Sequence, residues 1–190
     1  MKRVVILASG SGTLAQAIFD ARTTSLTSAD IVALISDKSD AQVIERASAA
    51  QIESYVIPML ADRGEWDREL ETLLAALKPD LVVSAGFMRL LSAKTVARFK
   101  IINSHPSLLP LFPGAHAVRD ALNAGASQTG TTIHWVDAGL DTGEIISQAQ
   151  LDIHSDDTEE SLHERIKILE RGLIVATIAS ILATQEKTNG

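Results

Sequence analysis

Short runs of β-branched residues alternate with segments of helical spacing along the first half of the chain, and this alternation constrains the fold most. The runs are "RVVILA" (3–8), "DIVALIS" (30–36), "ESYVIP" (53–58), "DLVVSAG" (80–86) and "FKIINS" (99–104). One intervening segment places its apolar residues on one helical face: Trp66, Leu70, Leu73, Leu74 and Leu77. Because strands separated by helices imply right-handed crossovers, we expect an α/β fold with a doubly wound, mostly parallel sheet.

The pattern changes after residue 127. Two strand-like runs, "QTGTTIHWVD" (128–137) and "GEIISQAQLDI" (143–153), are joined through the Gly-rich "AGLDTG" (138–143). Such a pair predicts an antiparallel hairpin, which we expect at one edge of the parallel sheet.

The last segment predicts a long amphipathic C-terminal helix. Its start has capping-box spacing at Asp157 and Glu160, with Asp in place of Ser or Thr. The expected apolar face is formed by Leu162, Ile166, Leu169 and Leu173. The polar end "TQEKTNG" (184–190) is expected to fray.

Length and composition exclude several classes of protein. A chain of 190 residues fits a single domain over 1–190. No apolar run approaches the roughly 20 residues that span a bilayer, and the N-terminal apolar run of about five residues is too short for a signal peptide. The absence of cysteine fits a cytoplasmic enzyme, and the net charge of −7 argues against nucleic-acid binding.

The loop "ASGSGTLAQAI" (8–18) follows the first strand and opens a helix, where backbone N–H groups bind phosphate. Gly10, Gly12 and Ala15 also fit the dinucleotide fingerprint, with Asp37 placed as a ribose-binding acid. No Lys follows the glycines, which excludes an ATP-type phosphate loop. A single phosphate, a dinucleotide such as NAD and a purely structural turn all remain open at this point.

Asn103 and His105 stand two residues apart at the end of the fifth predicted strand. Because alternate residues of a strand face one side, we expect both beyond the carboxyl edge of the sheet, where α/β proteins bind ligands. An amide N–H stabilises an oxygen that gains negative charge, and an imidazole exchanges a proton near neutrality, which suits acyl transfer. Asp141, in the Gly-flanked hairpin turn, is expected to approach His105 and raise its pKa.

Other interpretations of this stretch remain open. A satisfied structural histidine and a turn-forming asparagine explain an isolated Asn-x-His pair as well. A metal site could combine His105, His116, His134 and Asp141, but no H-x-x-x-H pair is present and we predict no metal.

A serine nucleophile is a further possibility, since Ser107 follows His105 closely. No G-x-S-x-G elbow is present, however. Ser104 is expected to point away from His105, because adjacent strand residues face opposite sides.

Several motifs together resemble one known family, the folate-dependent formyltransferases. Its signature is similar to "NSHPSLLP" (103–110), "FPG" (112–114) and "HAVRDAL" (116–122). Four further segments resemble the members that act on phosphoribosylglycinamide: "SGSGT" (9–13), "SDKSDA" (36–41), "AGFMRLLS" (85–92) and "LDTG" (140–143).

The resemblance implies a Rossmann-like formyltransferase fold and transfer of a formyl group from 10-formyltetrahydrofolate to the glycyl amine of phosphoribosylglycinamide. It implies that Asn103 and His105 stabilise the oxyanion, that His105 donates protons and that Asp141 supports it. Residues 1–100 would form the phosphate- and substrate-binding half, and 101–190 the catalytic and folate-binding half. The protein would act on small molecules, without metal, as a monomer or a homodimer.

The resemblance also implies two sets of binding residues. The set for the ribonucleotide is Gly12, Thr13, Leu14, Lys167, Ile168, Leu169 and Glu170. The set for the formyl donor is Arg63, Met88, Arg89, Leu90, Leu91, Asn103, Asp137, Ala138, Gly139, Leu140 and Asp141. Within them, Glu170 would meet the substrate amine, while Arg63 and Arg89 suit the glutamate carboxylates of a folate.

Three positions depart from the family pattern: Leu14 replaces a polar Asn, Val118 a histidine and Glu144 a proline. The first implies that backbone amides carry more of the phosphate binding. Two alternatives lie within the superfamily, a formyltetrahydrofolate hydrolase and a methionyl-tRNA formyltransferase, and the net charge speaks against the tRNA enzyme. A dinucleotide-binding oxidoreductase module is the alternative from another class.

Overall fold

The computed structural model contains a seven-stranded sheet with helices on both faces. It describes the backbone of residues 1–188 and the side chains of 1–184. Of the segment 184–190, which was expected to fray, residues 184–188 are helical and 189–190 lie outside the described residues. The strands are β1 (Lys2–Leu7), β2 (Ala29–Ser36), β3 (Ser54–Val56), β4 (Leu81–Ser84), β5 (Ile101–His105), β6 (Gln128–Trp135) and β7 (Ile145–Asp152). The helices are α1 (Thr13–Asp20), α2 (Gln42–Ala49), α3 (Arg63–Leu77), α4 (Ala93–Arg98), α5 (Ala117–Asn123) and α6 (Glu159–Thr188).

The strand order is β3-β2-β1-β4-β5-β6-β7. The first five strands of the chain pair in parallel, and β6 and β7 add an antiparallel edge. This confirms the doubly wound sheet and the edge hairpin. Because the chain reverses direction across the sheet between β1 and β4, the loops that follow these two strands border a crevice, the usual ligand site of such sheets.

Each face of the sheet has its own apolar core. Along β1, Val4 and Ile6 face the core shared with α1, α2 and α6, whereas Val5 and Leu7 face the core shared with α3. The predicted stripe of α3 is confirmed, since Trp66, Leu70 and Leu74 are fully buried.

The start of α6 corrects the predicted capping box. Thr158 and Ser161 form the reciprocal pair: each hydroxyl accepts from the other's backbone N–H, at 3.1 Å and 2.9 Å. Asp157, predicted to cap with Glu160, binds Arg165 instead. The box therefore lies one residue later, because Thr158 supplies the preferred hydroxyl while the carboxylate of Asp157 is occupied by an arginine.

The buried stripe of α6 also differs from the prediction. It advances in steps of four along the helix: Leu162, Ile166, Glu170, Ile174, Ile178 and Leu182. Leu169 and Leu173, expected on this stripe, are half-buried beside it. The prediction chose the stripe that contains only apolar residues. The helix instead buries Glu170, whose carboxyl group accepts from the hydroxyl of Ser104.

Two features are absent from the described part of the chain. None of its helices is both long enough and apolar enough to cross a membrane. Within the same residues, no group of three or more His, Asp or Glu side chains is arranged to hold a metal ion.

Candidate active site

Strand alternation in β5 sorts its last three residues as predicted. Asn103 and His105 face a cluster formed with His134 and Asp141. Ser104 faces the opposite side, where its hydroxyl donates to Glu170 at 2.7 Å. The predicted pair is therefore confirmed to share one side of the sheet.

His105 is held at both ring nitrogens. Its Nε2 lies 2.8 Å from the carbonyl oxygen of Phe112, and its Nδ1 lies 3.4 Å from Asp141 Oδ2. The residue is only 4% exposed, so these contacts form away from bulk water. Since both nitrogens face oxygen acceptors, the ring is oriented for proton transfer.

Asp141 is the acidic partner of this cluster. Its Oδ2 accepts from the N–H of Gly114 at 2.8 Å, and its Oδ1 lies 3.5 Å from His134 Nε2. Burial of the carboxyl group favours its neutral form. The interaction with His134, the hydrogen bond from Gly114 and the nearby charge of His105 outweigh burial and lower the pKa of Asp141 below its ordinary value.

His134 is a member of the cluster that sequence reasoning considered only as a metal ligand. Its Nδ1 lies 2.9 Å from the carbonyl of Trp135, which can only accept, so Nδ1 carries a proton. When the ring is neutral, Nε2 accepts from Asn103 Nδ2, 3.2 Å away. This contact orients the Asn103 amide. The two side chains meet because Asn103 pairs with His134 across β5 and β6. When the ring is protonated, Nε2–H faces Asp141 Oδ1, and this is the interaction that lowers the pKa of Asp141.

Two residues that contact His105 have unusual backbone conformations. Phe112 has φ 53° and Asp141 has φ 54°, both in the left-handed region. A non-glycine residue held there costs about 1–3 kcal/mol, and such residues concentrate at functional sites. The turn carrying Asp141 also requires Gly143, where a Cβ atom would collide with the carbonyl of Trp135.

The hairpin turn over 137–141 keeps its shape through Asp137. The Asp137 carboxylate accepts from the N–H of Gly139 at 3.0 Å and from the Thr142 hydroxyl at 2.8 Å. Residues 137–140 are exposed, including half of the Leu140 side chain. The turn thus holds Asp141 inward while Ala138, Gly139 and Leu140 line its outer surface.

The loop after β1 has the features of an anion site. Gly12 is the N-cap of α1 with φ 73° and no side-chain capping bond, so the first-turn N–H groups have no side-chain cap. A Cβ on Gly12 would collide with Val43, which shows how closely α2 packs on the loop. Arg46 of α2, which the sequence did not single out, donates from Nε to the carbonyl of Ser11 at 2.7 Å.

Leu14, the departure in this loop, packs against the core shared by α1, α2 and α6. Its half-buried side chain is thus accommodated by the fold. Only its backbone N–H, in the first turn of α1 with that of Thr13, is suited to an anion.

The predicted donor-binding segment after β4 is the loop 85–92. Met88 and Leu90 are exposed, at 69% and 62%, whereas Leu91 packs against the α3 core. Arg89 is ion-paired with Asp37 at 2.6 Å. Arg63 bonds the carbonyl of Leu90, so both predicted arginines contact other parts of the protein.

The predicted substrate turn on α6 lies on the other side of β5. Lys167 pairs with Glu164 at 2.6 Å, Ile168 is exposed, and Glu170 is buried under Ser104. Burial raises the pKa of Glu170, although the hydrogen bond from Ser104 opposes this effect. No hydrogen bond or ion pair among the described residues joins Glu170 to Asn103, His105 or Asp141. The structure thus brings the predicted catalytic three together and leaves this turn apart from them.

Taken together, an amide donor, a histidine and an ionised carboxylate at the carboxyl edge of a doubly wound sheet define an α/β enzyme suited to acyl transfer. Comparison with known proteins makes the class specific: residues 2–178 match the model of the formyl transferase family. The chain belongs to this family.

Individual relatives agree with this assignment. A phosphoribosylglycinamide formyltransferase of Mycobacterium tuberculosis is 45% identical over 184 residues, covering 94% of this chain and 84% of that protein. The protein of the same name from Escherichia coli is 38% identical over 180 residues, covering 93% and 85%. Glycinamide ribonucleotide transformylase 1 from Symbiobacterium toebii has the same fold, with a TM-score of 0.94, 38% identity and coverage of 97% and 89%.

The alternative interpretations find no support in these relatives. The acid that a dinucleotide site required, Asp37, has a side chain with no exposed surface and is paired with Arg89. An acid that binds a ribose must reach its hydroxyl groups, so Asp37 does not fit that role.

Proposed function

We propose that this enzyme transfers a formyl group from 10-formyltetrahydrofolate to the glycyl amine of phosphoribosylglycinamide, the third step of de novo purine biosynthesis. The observation that carries the proposal is the cluster of Asn103, His105 and Asp141, with an uncapped helix start at the same edge of the parallel sheet. The cluster suits transfer of an acyl group, and the helix start suits a phosphate. Relatives that carry this enzyme's name cover nearly the whole chain.

The substrate amine attacks the formyl carbon in the proposed mechanism. The new C–N bond pushes the carbonyl π electrons onto oxygen. This oxyanion receives hydrogen bonds from the Asn103 amide and from the Nε2–H of protonated His105, which leaves the carbonyl of Phe112 for the substrate. The second Asn103 N–H remains on His134, which keeps the amide from rotating. No enzyme nucleophile is required.

Proton movement then completes the transfer. The ammonium formed by attack must lose a proton, and the folate nitrogen must gain one before its bond to carbon breaks. His105 delivers the proton to the leaving nitrogen. Asp141, 3.4 Å from His105 Nδ1 and held ionised by its lowered pKa, stabilises the imidazolium. The neutral imidazole left after this delivery takes up the proton that the ammonium loses, which restores protonated His105.

The substrate phosphate is assigned to the backbone N–H groups of Gly12, Thr13 and Leu14. The support is the missing cap and the positive end of α1. Arg46 adds a cation at this loop and, among the described residues, forms no ion pair. Lys167, Ile168, Leu169 and Glu170 are assigned to the other end of the ribonucleotide, as the resemblance implies.

The formyl donor is assigned to the crevice between the loop 85–92 and the turn 137–141. Both borders expose apolar side chains, namely Met88, Leu90 and Leu140, which suit a flat heteroaromatic ring. In this assignment the formyl group meets Asn103 and Asp141. Arg63, which bonds the carbonyl of Leu90, is assigned to the opposite end of the donor.

The test is turnover of the purified protein with both substrates. We expect formylated ribonucleotide and tetrahydrofolate in equal amounts, without nicotinamide cofactor and unaffected by a chelator. Inorganic phosphate should compete with the ribonucleotide and not with the folate. Release of formate from the donor without transfer would favour the hydrolase, and phosphate competition with the folate would contradict the assigned phosphate site.

A further inference from the structure

Asp37, at the end of β2, has no part in the proposed chemistry, yet its carboxylate is completely buried. Oδ2 accepts from Arg89 Nε at 2.6 Å. Oδ1 is also buried and has no hydrogen-bond partner among the described residues. The negative charge therefore depends on a single cation.

A buried carboxylate with one partner holds that partner firmly. Removing the cation would leave an uncompensated charge in the interior, which costs far more than breaking a surface pair. Arg89 is a third exposed, and its side chain is drawn inward by this contact. Rotation of Arg89 toward a ligand would therefore leave the buried Asp37 carboxylate without its cation, which costs much free energy.

The neighbours of Arg89 have the opposite orientation. Met88 and Leu90 are 69% and 62% exposed, so side chains alternate outward, inward and outward along this loop. The inward residue is the one tied to Asp37. The contact of Arg89 with Asp37 consequently determines the direction in which the Met88 and Leu90 side chains point.

A second tie connects the same loop to the phosphate loop. The N–H of Met88 donates to the hydroxyl of Ser9 at 2.9 Å, and the N–H of Ser9 donates to the carbonyl of Gly86 at 3.1 Å. These bonds fix the start of the loop 85–92 to the end of β1. Leu90 and the rest of this loop are fixed by the Asp37–Arg89 pair and by the contact from Arg63.

We propose that Asp37 is a positioning residue for the formyl-donor site: by holding Arg89 it fixes the loop 85–92 so that Met88 and Leu90 form the apolar wall of the crevice. This inference rests on the proposed function. It also changes the role expected for Arg89, from a ligand of the donor's glutamate carboxylates to an internal anchor of the loop.

The test compares Asp37→Asn and Arg89→Met with two donors, 10-formyltetrahydrofolate and 10-formyltetrahydropteroate, which lacks the glutamate. A loosened wall should raise KM for both donors by a similar factor, on the order of tenfold. KM for the ribonucleotide should stay within about twofold, because the phosphate loop keeps its own bonds. The double variant Asp37→Asn/Arg89→Gln, which restores a neutral hydrogen-bonded pair, should recover part of the loss.

Glu71→Gln serves as the matched control. Glu71 is also a buried carboxylate paired with an arginine, Arg98, at 2.7 Å, but it lies on α3 outside the donor loop. The Glu71→Gln variant should have a lowered melting temperature, as we expect for Asp37→Asn, and unchanged KM values for both donors. If Glu71→Gln raises them equally, general destabilisation explains the effect and the proposal is overturned.

Two other results would overturn the positioning role. One is an unchanged donor KM in Asp37→Asn. The other is a loss in Arg89→Met confined to the glutamate-bearing donor and additive with Asp37→Asn, which would make Arg89 a direct carboxylate ligand. If the wild type binds the donor calorimetrically but forms no product, the proposed function fails, and the variants' donor affinities still decide the role of Asp37. A wild type that binds no donor refutes both.

Discussion

A carboxyl group packs against each side of β5, and the pKa values of the two groups are shifted in opposite directions. On the side of Asn103 and His105, the pKa of Asp141 is lowered; on the side of Ser104, the pKa of Glu170 is raised. Burial pushes both pKa values upward. The partners decide the outcome: Asp141 has an N–H donor and two histidines, whereas Glu170 has mainly hydroxyl groups.

This difference indicates that the Asn103 and His105 side of β5 is suited to proton transfer. A carboxylate kept ionised beside an imidazole can support a positive charge that appears during reaction. A carboxyl group whose neutral form is favoured can hold hydroxyls and a substrate amide or amine by hydrogen bonds. On the side of Glu170, the hydroxyl of Thr131 contacts both the Ser104 hydroxyl and the backbone carbonyl of His105.

Replacing His105 should produce the largest loss. We expect His105→Ala to lower the chemical step by about 10²- to 10⁴-fold, as for a lost general acid, measured in single turnovers. His116→Ala is the control, because His116 is an exposed histidine at the start of α5. A loss below about tenfold would assign His105 a structural role and remove the contrast between the two sides.

Asp141→Asn should lower kcat by about 10²-fold while leaving substrate affinities nearly unchanged. An amide oxygen still accepts from Gly114, so the turn keeps its shape and only the charge is lost. Because the pKa of Asp141 lies below its ordinary value, the wild-type carboxylate stays ionised throughout mildly acidic conditions. Titration of this group above its ordinary value, followed by carboxyl NMR, would contradict the assignment.

His134 tests whether the orientation of Asn103 matters. His134→Phe removes the acceptor of the Asn103 amide, and we expect kcat to fall by about tenfold. His134→Gln offers an amide oxygen in a similar place and should recover most of the activity. Equal losses in both variants would indicate a packing role for His134.

Glu170→Gln should have the smallest effect on kcat, less than about tenfold, because an amide can still bond Ser104. Its main effect should be on stability. Since the folded pKa of Glu170 is raised, its stabilising contribution is complete below the unfolded pKa and is lost as pH rises through the folded pKa. Thermal unfolding should therefore show Glu170→Gln gaining stability over the wild type as pH increases from 4 to 8.

A constant difference between these two proteins across that pH range would mean that Glu170 ionises normally. The two sides of β5 would then no longer differ in the way described. Ser104→Ala is a useful companion variant, since it removes a hydrogen bond to the carboxylate and should raise the pKa of Glu170 further.

Most of the fold could be predicted from the local periodicity of the sequence. Alternation in β5 separated Ser104 from its two neighbours, and the 3.6-residue spacing identified Trp66, Leu70 and Leu74 as a buried stripe. The predicted catalytic three also came together as expected. Each of these properties depends on the direction of side chains within one element, or on a motif whose parts lie at fixed distances along the chain.

The failures have a common physical origin. Apolar spacing in α6 could not tell which of two adjacent stripes would face the sheet, and Glu170 occupies the one that does. The dinucleotide alternative required Asp37 beside a ribose, whereas the loop after β4 brings Arg89 onto its carboxylate. Such contacts depend on the rotation of a helix or on the path of a distant loop.

The sequence by itself determined the doubly wound sheet, the hairpin, the glycine loop between β1 and α1, and the presence of an amide and an imidazole on one side of β5. These follow from backbone preferences and from the repeat of strand and helix. Only the tertiary structure decided the partner of Asn103, the anchor of Arg89 and the opposite ionisation of Asp141 and Glu170. The register between β5 and β6, the packing of α6 and the burial of each charge arise together when the whole chain folds.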